Sequence, residues 1–132
     1  MVRMGVLAAA LAVASAAGAQ DPAEIREVIS SQIEAMRVDD FDTAFGFASP
    51  GIQRMFETPE RFGQMVREGY PMVWRPRDLR FLEPVPGAGR TVQPVLVTDE
   101  SGALHVLDYE MVPLEGGWRI DGVSLREQAS GA

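Results

Sequence analysis

The chain has 132 residues, 12 basic and 19 acidic side chains, a formal net charge of −7 and no cysteine. That length suits one domain with a single core, and the acidity disfavours nucleic acid or anionic lipid as the main partner. With no cysteine, disulfides, thiolate metal sites and lipid attachment through an N-terminal Cys are all excluded.

Met1–Ala19 reads as an export signal. Arg3 supplies the positive start, Gly5–Ala16 an apolar stretch, and Ala17-Gly18-Ala19 the small-x-small pattern at which signal peptidase cuts. The stretch is shorter and more alanine-rich than a membrane span of about 20 strongly apolar residues, so cleavage after Ala19 is expected. The mature protein then begins at Gln20, is one unit more negative, and works in the periplasm or outside the cell with no membrane span. All basic residues are Arg, and Lys and Asn are both missing. Both have A-rich codons, which points to a GC-rich genome and favours a bacterial periplasm.

Asp21-Pro22-Ala23-Glu24 starts a helix: an N-cap, Pro at the first helical position and Glu three residues after the cap. Ile25, Val28, Ile29, Ile33 and Met36 then recur at helical spacing, with Glu27, Ser31, Glu34 and Arg37 off that stripe. Asp39-Asp40 stops this helix and caps a second one, in which Phe41, Ala44, Phe45 and Ala48 share a face. Ser49-Pro50-Gly51 ends it, and Ile52–Phe56 adds a single turn. Thr58-Pro59-Glu60 opens a third helix with Phe62, Met65 and Val66 inward, and Gly69 is placed to end it in a left-handed conformation.

From Trp74 onward the apolar period falls toward two. Gly- and Asp-rich punctuation separates four strand-like runs near residues 79–85, 91–98, 103–114 and 118–125, the third of them long enough to bend. Helices followed by an antiparallel meander give an α+β plan, with one sheet face covered by the helices. The single domain spans residues 20–127, and 128–132 form a frayed tail.

The element order, the aromatic helix Phe41–Ala48 and the closing run from Gly117 through Trp118 to Val123 resemble the nuclear transport factor 2-like superfamily, which implies a curved sheet wrapped around helices as a cone. The runs Phe45–Pro50 and Phe62–Pro76 resemble an exported bacterial family catalogued as domain of unknown function 4864. That second resemblance covers nearly the whole mature chain and implies no activity or catalytic residue. The superfamily contains both enzymes and binding modules, so its fold does not choose between them.

The only histidine, His105, shares a strand face with Leu107, Tyr109 and Met111. Lining a cone, His105 and Tyr109 would form a weak acid–base pair, assisted by Tyr70 or Asp108. A lone histidine at a strand start is more simply a hydrogen-bonded rim residue. One His and no Cys fall short of a zinc site. The five Met of the mature chain fit core packing better than copper ligation, and no cofactor is expected. No serine sits in a nucleophile elbow.

Tyr70–Arg80 carries Arg75, Arg77 and Arg80 beside Tyr70 and Trp74. Read as a site, it grips a small apolar or amphipathic anion: Trp74 or Tyr70 makes a wall, Phe62 and Met65 the floor, Met72 joins them, and Arg75 meets the head group. Read as a connector, its prolines stiffen it, Trp74 packs on the core and the arginines pair with Asp78 or Glu83.

These features favour a non-catalytic binding or interaction module with an apolar cavity. The first alternative is a cofactor-free isomerase- or dehydratase-type enzyme using His105 and Tyr109. The second is a homodimer that pairs through an open sheet face, with the cone filled.

Overall fold

The computed structural model describes residues 21–126; the expected export signal and the C-terminal tail lie outside them. Helix α1 (Pro22–Arg37) starts where the capping residues place it, Asp21 accepting from the Ala23 amide. Ile25, Ile29, Ile33 and Met36 are buried along one face, each such side chain contributing about 1.5–3 kcal/mol by burial. The helix closes on a left-handed Asp39, φ 61°, with the Asp40 amide on the Ala35 carbonyl (2.8 Å) and the Asp39 amide on that of Met36 (2.9 Å). This is the hydrogen-bond pattern that usually carries glycine at the left-handed position.

Asp40 caps α2 (Phe41–Gly46) through the Thr43 amide. The expected single turn after it is a seven-residue helix, α3 (Pro50–Phe56), because Ser49 does more than end α2: its hydroxyl accepts from the Ile52 amide. Thr58 caps α4 (Pro59–Gly69), which buries Phe62, Gly63 and Val66. A Cβ on Gly63 would lie 2.9 Å from Phe41 Cγ, so the missing side chain lets the Phe41 ring seat between α2 and α4.

Gly69 is not left-handed, contrary to the sequence expectation. Pro71 terminates α4 instead, since the residue before a proline is pushed out of the helical region, and Tyr70 sits at φ −137° and ψ 51°. Pro71 also opens a one-turn helix, α5 (Pro71–Trp74), within the segment expected to be a plain connector.

The sheet is antiparallel and open, with five strands: β1 (Asp78–Phe81), β2 (Val85–Gly87), β3 (Arg90–Thr98), β4 (Leu104–Leu114) and β5 (Gly117–Leu125). The order is β1-β3-β4-β5, with β2 also paired to β3. The run expected as one strand near 79–85 is therefore two, broken ahead of Pro84, which has no amide to donate. Gln93 bridges the break by donating to the carbonyls of Leu82 and Pro94, both at 2.8 Å.

Val95, Val97, Leu107, Tyr109, Met111, Trp118 and Ile120 are buried in one cluster with the α1, α2, α4 and α5 side chains. The opposite face carries the ion pairs Arg90–Glu110 and Arg126–Asp108. β4 and β5 pair through a register shift: Glu110 pairs with Gly122 and Met111 with Ile120, leaving Asp121 as the extra residue, so the bulged strand is β5. The edge of β5 is covered where Phe47 and Ser49 exchange backbone hydrogen bonds with Ile120.

Candidate functional site

Between α1, α3, α4, α5 and the β4–β5 ribbon lies a hollow of about 300 Å³, lined by Gln32, Met36, Ile52, Met55, Phe56, Phe62, Met65, Val66, Tyr70, Val73, Tyr109, Gly122 and Val123. Its wall is overwhelmingly apolar and includes no charged side chain. Each element contributes through a feature already described. α1 presents Gln32 and Met36 from its buried stripe, α4 presents Phe62, Met65 and Val66 at helical spacing, and the register shift brings Gly122, which has no side chain, to the wall.

α3 forms the outer side. None of its residues is buried, and Met55 is 67% exposed while still lining the hollow. It is held at its start by Ser49, whose hydroxyl donates to Asp121 (2.7 Å), and by Gln53, which donates to the carbonyls of Phe45 and Ala48. At its end Glu57 has φ 72°, a conformation that non-glycine residues adopt at a cost.

Three polar groups face this apolar space. Tyr70 donates its hydroxyl to the Val123 carbonyl (3.2 Å). Gln32, 4% exposed, spends its amide nitrogen on the Ala44 carbonyl (3.1 Å), which fixes its orientation and leaves its oxygen without a hydrogen-bond partner among the described residues. Tyr109 is 1% exposed and its hydroxyl likewise has no partner among them. Burial, followed by the neighbouring Tyr70, pushes the Tyr109 phenol well above its ordinary pKa, so it stays protonated.

The structure brings Phe62, Met65, Tyr70 and Tyr109 together around this hollow and places the other sequence-selected residues elsewhere. Met72, Arg75 and His105 line a separate hollow of about 310 Å³ with Pro71, Asp99, Glu100 and Ser101. His105 and Tyr109 thus share a strand face but open onto different spaces, and do not converge as an acid–base pair. His105 Nε2 lies 2.8 Å from Asp99 Oδ2 and donates to it when Asp99 is ionised. Asp99 Oδ1 takes the amides of Ser101 and Ala103 and the Ser101 hydroxyl, so this cluster ties the β3–β4 turn together. These bonds, that from His105 foremost, hold the Asp99 carboxyl well below the usual carboxylate range.

Arg75 and Trp74 serve the end of α1. Arg75 donates to the carbonyls of Arg37 (2.8 Å) and Met36 (3.3 Å) and pairs with Asp39 (3.4 Å), not with Asp78 or Glu83. Trp74 Nε1 donates to Asp39 Oδ1 at 2.9 Å, and the Arg75 guanidinium stacks 4.3 Å from the Trp74 ring. The expected anion grip is occupied by a carboxylate of the chain itself.

Gln32 was missed from the sequence, although a polar residue at helical spacing from Ile25 and Ile29 is the signal that could have found it. Ile52, Met55 and Phe56 lay in a segment whose helix was underestimated, and Gly122 and Val123 depend on the bulge. Among the described residues no group of three or more His, Cys, Asp or Glu side chains is placed to hold a metal ion, and no helix is long and apolar enough to cross a membrane.

A family model described as a domain of unknown function (DUF4864) matches residues 18–132. No curated protein matches the chain.

Proposed function

We propose that this chain, which belongs to the DUF4864 family, is an exported, non-catalytic binding module that holds a small, mainly apolar molecule between α3, α4 and the inner face of the sheet. The observation that carries this reading is the composition of the hollow: about 300 Å³ walled by Ile, Val, Met, Phe and Tyr, without a charged group. That volume lies at the low end of small-molecule sites, which are concave, apolar and furnished with a few placed polar groups. Export is supported by the signal-like Met1–Ala19 segment. The helices on one face of an antiparallel sheet and the bulge at Asp121 of β5 support a nuclear transport factor 2-like cone.

An enzymatic reading has less support, because His105 is tied to Asp99 and opens onto a different space from Tyr109. The test uses N-phenyl-1-naphthylamine, an uncharged apolar fluorophore. It should bind with one-to-one stoichiometry and brighten, and Val123→Trp, which places an indole in the hollow, should remove that response while circular dichroism shows the fold retained. No stoichiometric binding, or binding unchanged in Val123→Trp, refutes the proposal.

A further inference from the structure

The hollow's polar furniture is specific. Tyr109 is a hydrogen-bond donor held protonated, and Gln32 offers an amide oxygen. Both residues are almost fully buried, yet these two atoms have no partner among the described residues. Neither atom is sealed off as Gln93 Oε1 is, so both open onto the hollow, where a ligand group of matching polarity can take the hydrogen bonds that water would otherwise make.

A carboxylate answers badly. It would leave water for an apolar wall with no cation in it. No arginine lines the space; Arg75 is engaged on the end of α1 and Asp39, Arg67 lies over the rings of Phe41 and Trp74, and Arg54 on α3 lines a different hollow. An ammonium fares no better, since no Asp or Glu lines the space.

We infer that the ligand of this hollow is uncharged and bears, on an otherwise apolar body, one group that both accepts and donates a hydrogen bond, as an alcohol, phenol or amide does: it accepts from Tyr109 and donates to Gln32. The inference rests on the binding reading above and replaces the anionic head group that the arginine-rich connector suggested.

Three ligands of one shape test it by calorimetry on the mature full-length chain near neutral pH: naphthalene, 2-naphthol and naphthalene-2-carboxylate. 2-Naphthol should bind about tenfold or more tightly than the carboxylate and also more tightly than naphthalene, the scale of one good buried hydrogen bond. Tyr109→Phe should erase most of the advantage of 2-naphthol over naphthalene. If naphthalene binds but 2-naphthol is no tighter, if the carboxylate binds as well as the alcohol, or if the preference survives Tyr109→Phe, the head-group inference is wrong while the binding reading stands. If none of the three binds, the binding reading fails and takes the inference with it.

Discussion

Asp39 shows how a single side chain can hold a helix end in a conformation its backbone disfavours. At φ 61° glycine would be the easier residue, yet a glycine would give up the indole hydrogen bond from Trp74 and the ion pair with Arg75 that fasten α1 to α5. The Trp74 bond, and then Arg75, keep the Asp39 carboxyl below its ordinary 3.8. Asp99 is shifted the same way by His105 and the β3–β4 turn. For both groups the unfolded chain takes up the proton first as pH falls. Their stabilisation is therefore complete above the ordinary carboxylate value and is lost as pH drops below about 4 through the lowered native value. Urea unfolding of the wild type should show a midpoint that declines on this acid side, and Asp39→Asn and Asp99→Asn should each flatten the decline. Both carboxylates are partly open to solvent, so added salt should shrink the difference. An acid limb of the same slope in wild type and both variants would show that neither tie contributes.

At the scale of elements, α3 has no fully buried residue, unlike α1 and α4, and its hold rests on Ser49, Gln53, the Asp121 carboxylate and the partly buried Phe56 ring against Phe62. Helices with few buried apolar contacts open locally at low free energy. Met55 on this helix should accordingly be oxidised by dilute peroxide well before Met36 and Met111, which are 1% and 0% exposed. N-Phenyl-1-naphthylamine should slow the Met55 reaction, as peptide mass spectrometry would read; equal oxidation of all three would mean that α3 packs as tightly as α1. The same helix marks the limit of what was legible in the sequence. Caps are local chemistry, so Asp21, Asp40 and Thr58 announced their helices, and the strand runs followed from period-two patterning with Gly- and Asp-rich turns. α3 was underread because Ser49-Pro50 works as a stop and a start at once. The division of the first strand run depended on Pro84 meeting β3, and the end of α4 on Pro71 overriding Gly69. The partners of Arg75 and the separation of His105 from Tyr109 are set by tertiary packing, which no local spacing encodes. Phe62, Met65 and Tyr70 were recoverable because they combine an inward helical phase with the aromatic and Met usage of a cavity wall.

For the molecule as a whole, no disulfide can offset a poor core, since the chain contains no cysteine. Stability must come from the cluster that joins Ile25, Ile29, Ile33 and Met36 of α1 to Val95, Val97, Leu107 and Met111 of the sheet. Tyr109 belongs to the same cluster, yet its hydroxyl has no partner among the described residues and lies at the cavity wall. Stability and binding should therefore separate at the two kinds of position. Ile33→Ala removes a fully buried side chain from a closed part of the core and should cost about 2–5 kcal/mol. Tyr109→Phe keeps the ring, removes a hydroxyl that has no partner among the described residues and opens onto the hollow, and should change stability by less than about 1 kcal/mol. Denaturant unfolding of both variants beside the wild type checks this directly. A loss of about 1 kcal/mol or more in Tyr109→Phe would mean that the hydroxyl already has a structural partner in the unliganded protein. Tyr109 would then be an ordinary core residue, and the polar recognition assigned to it would have to come from Gln32 alone.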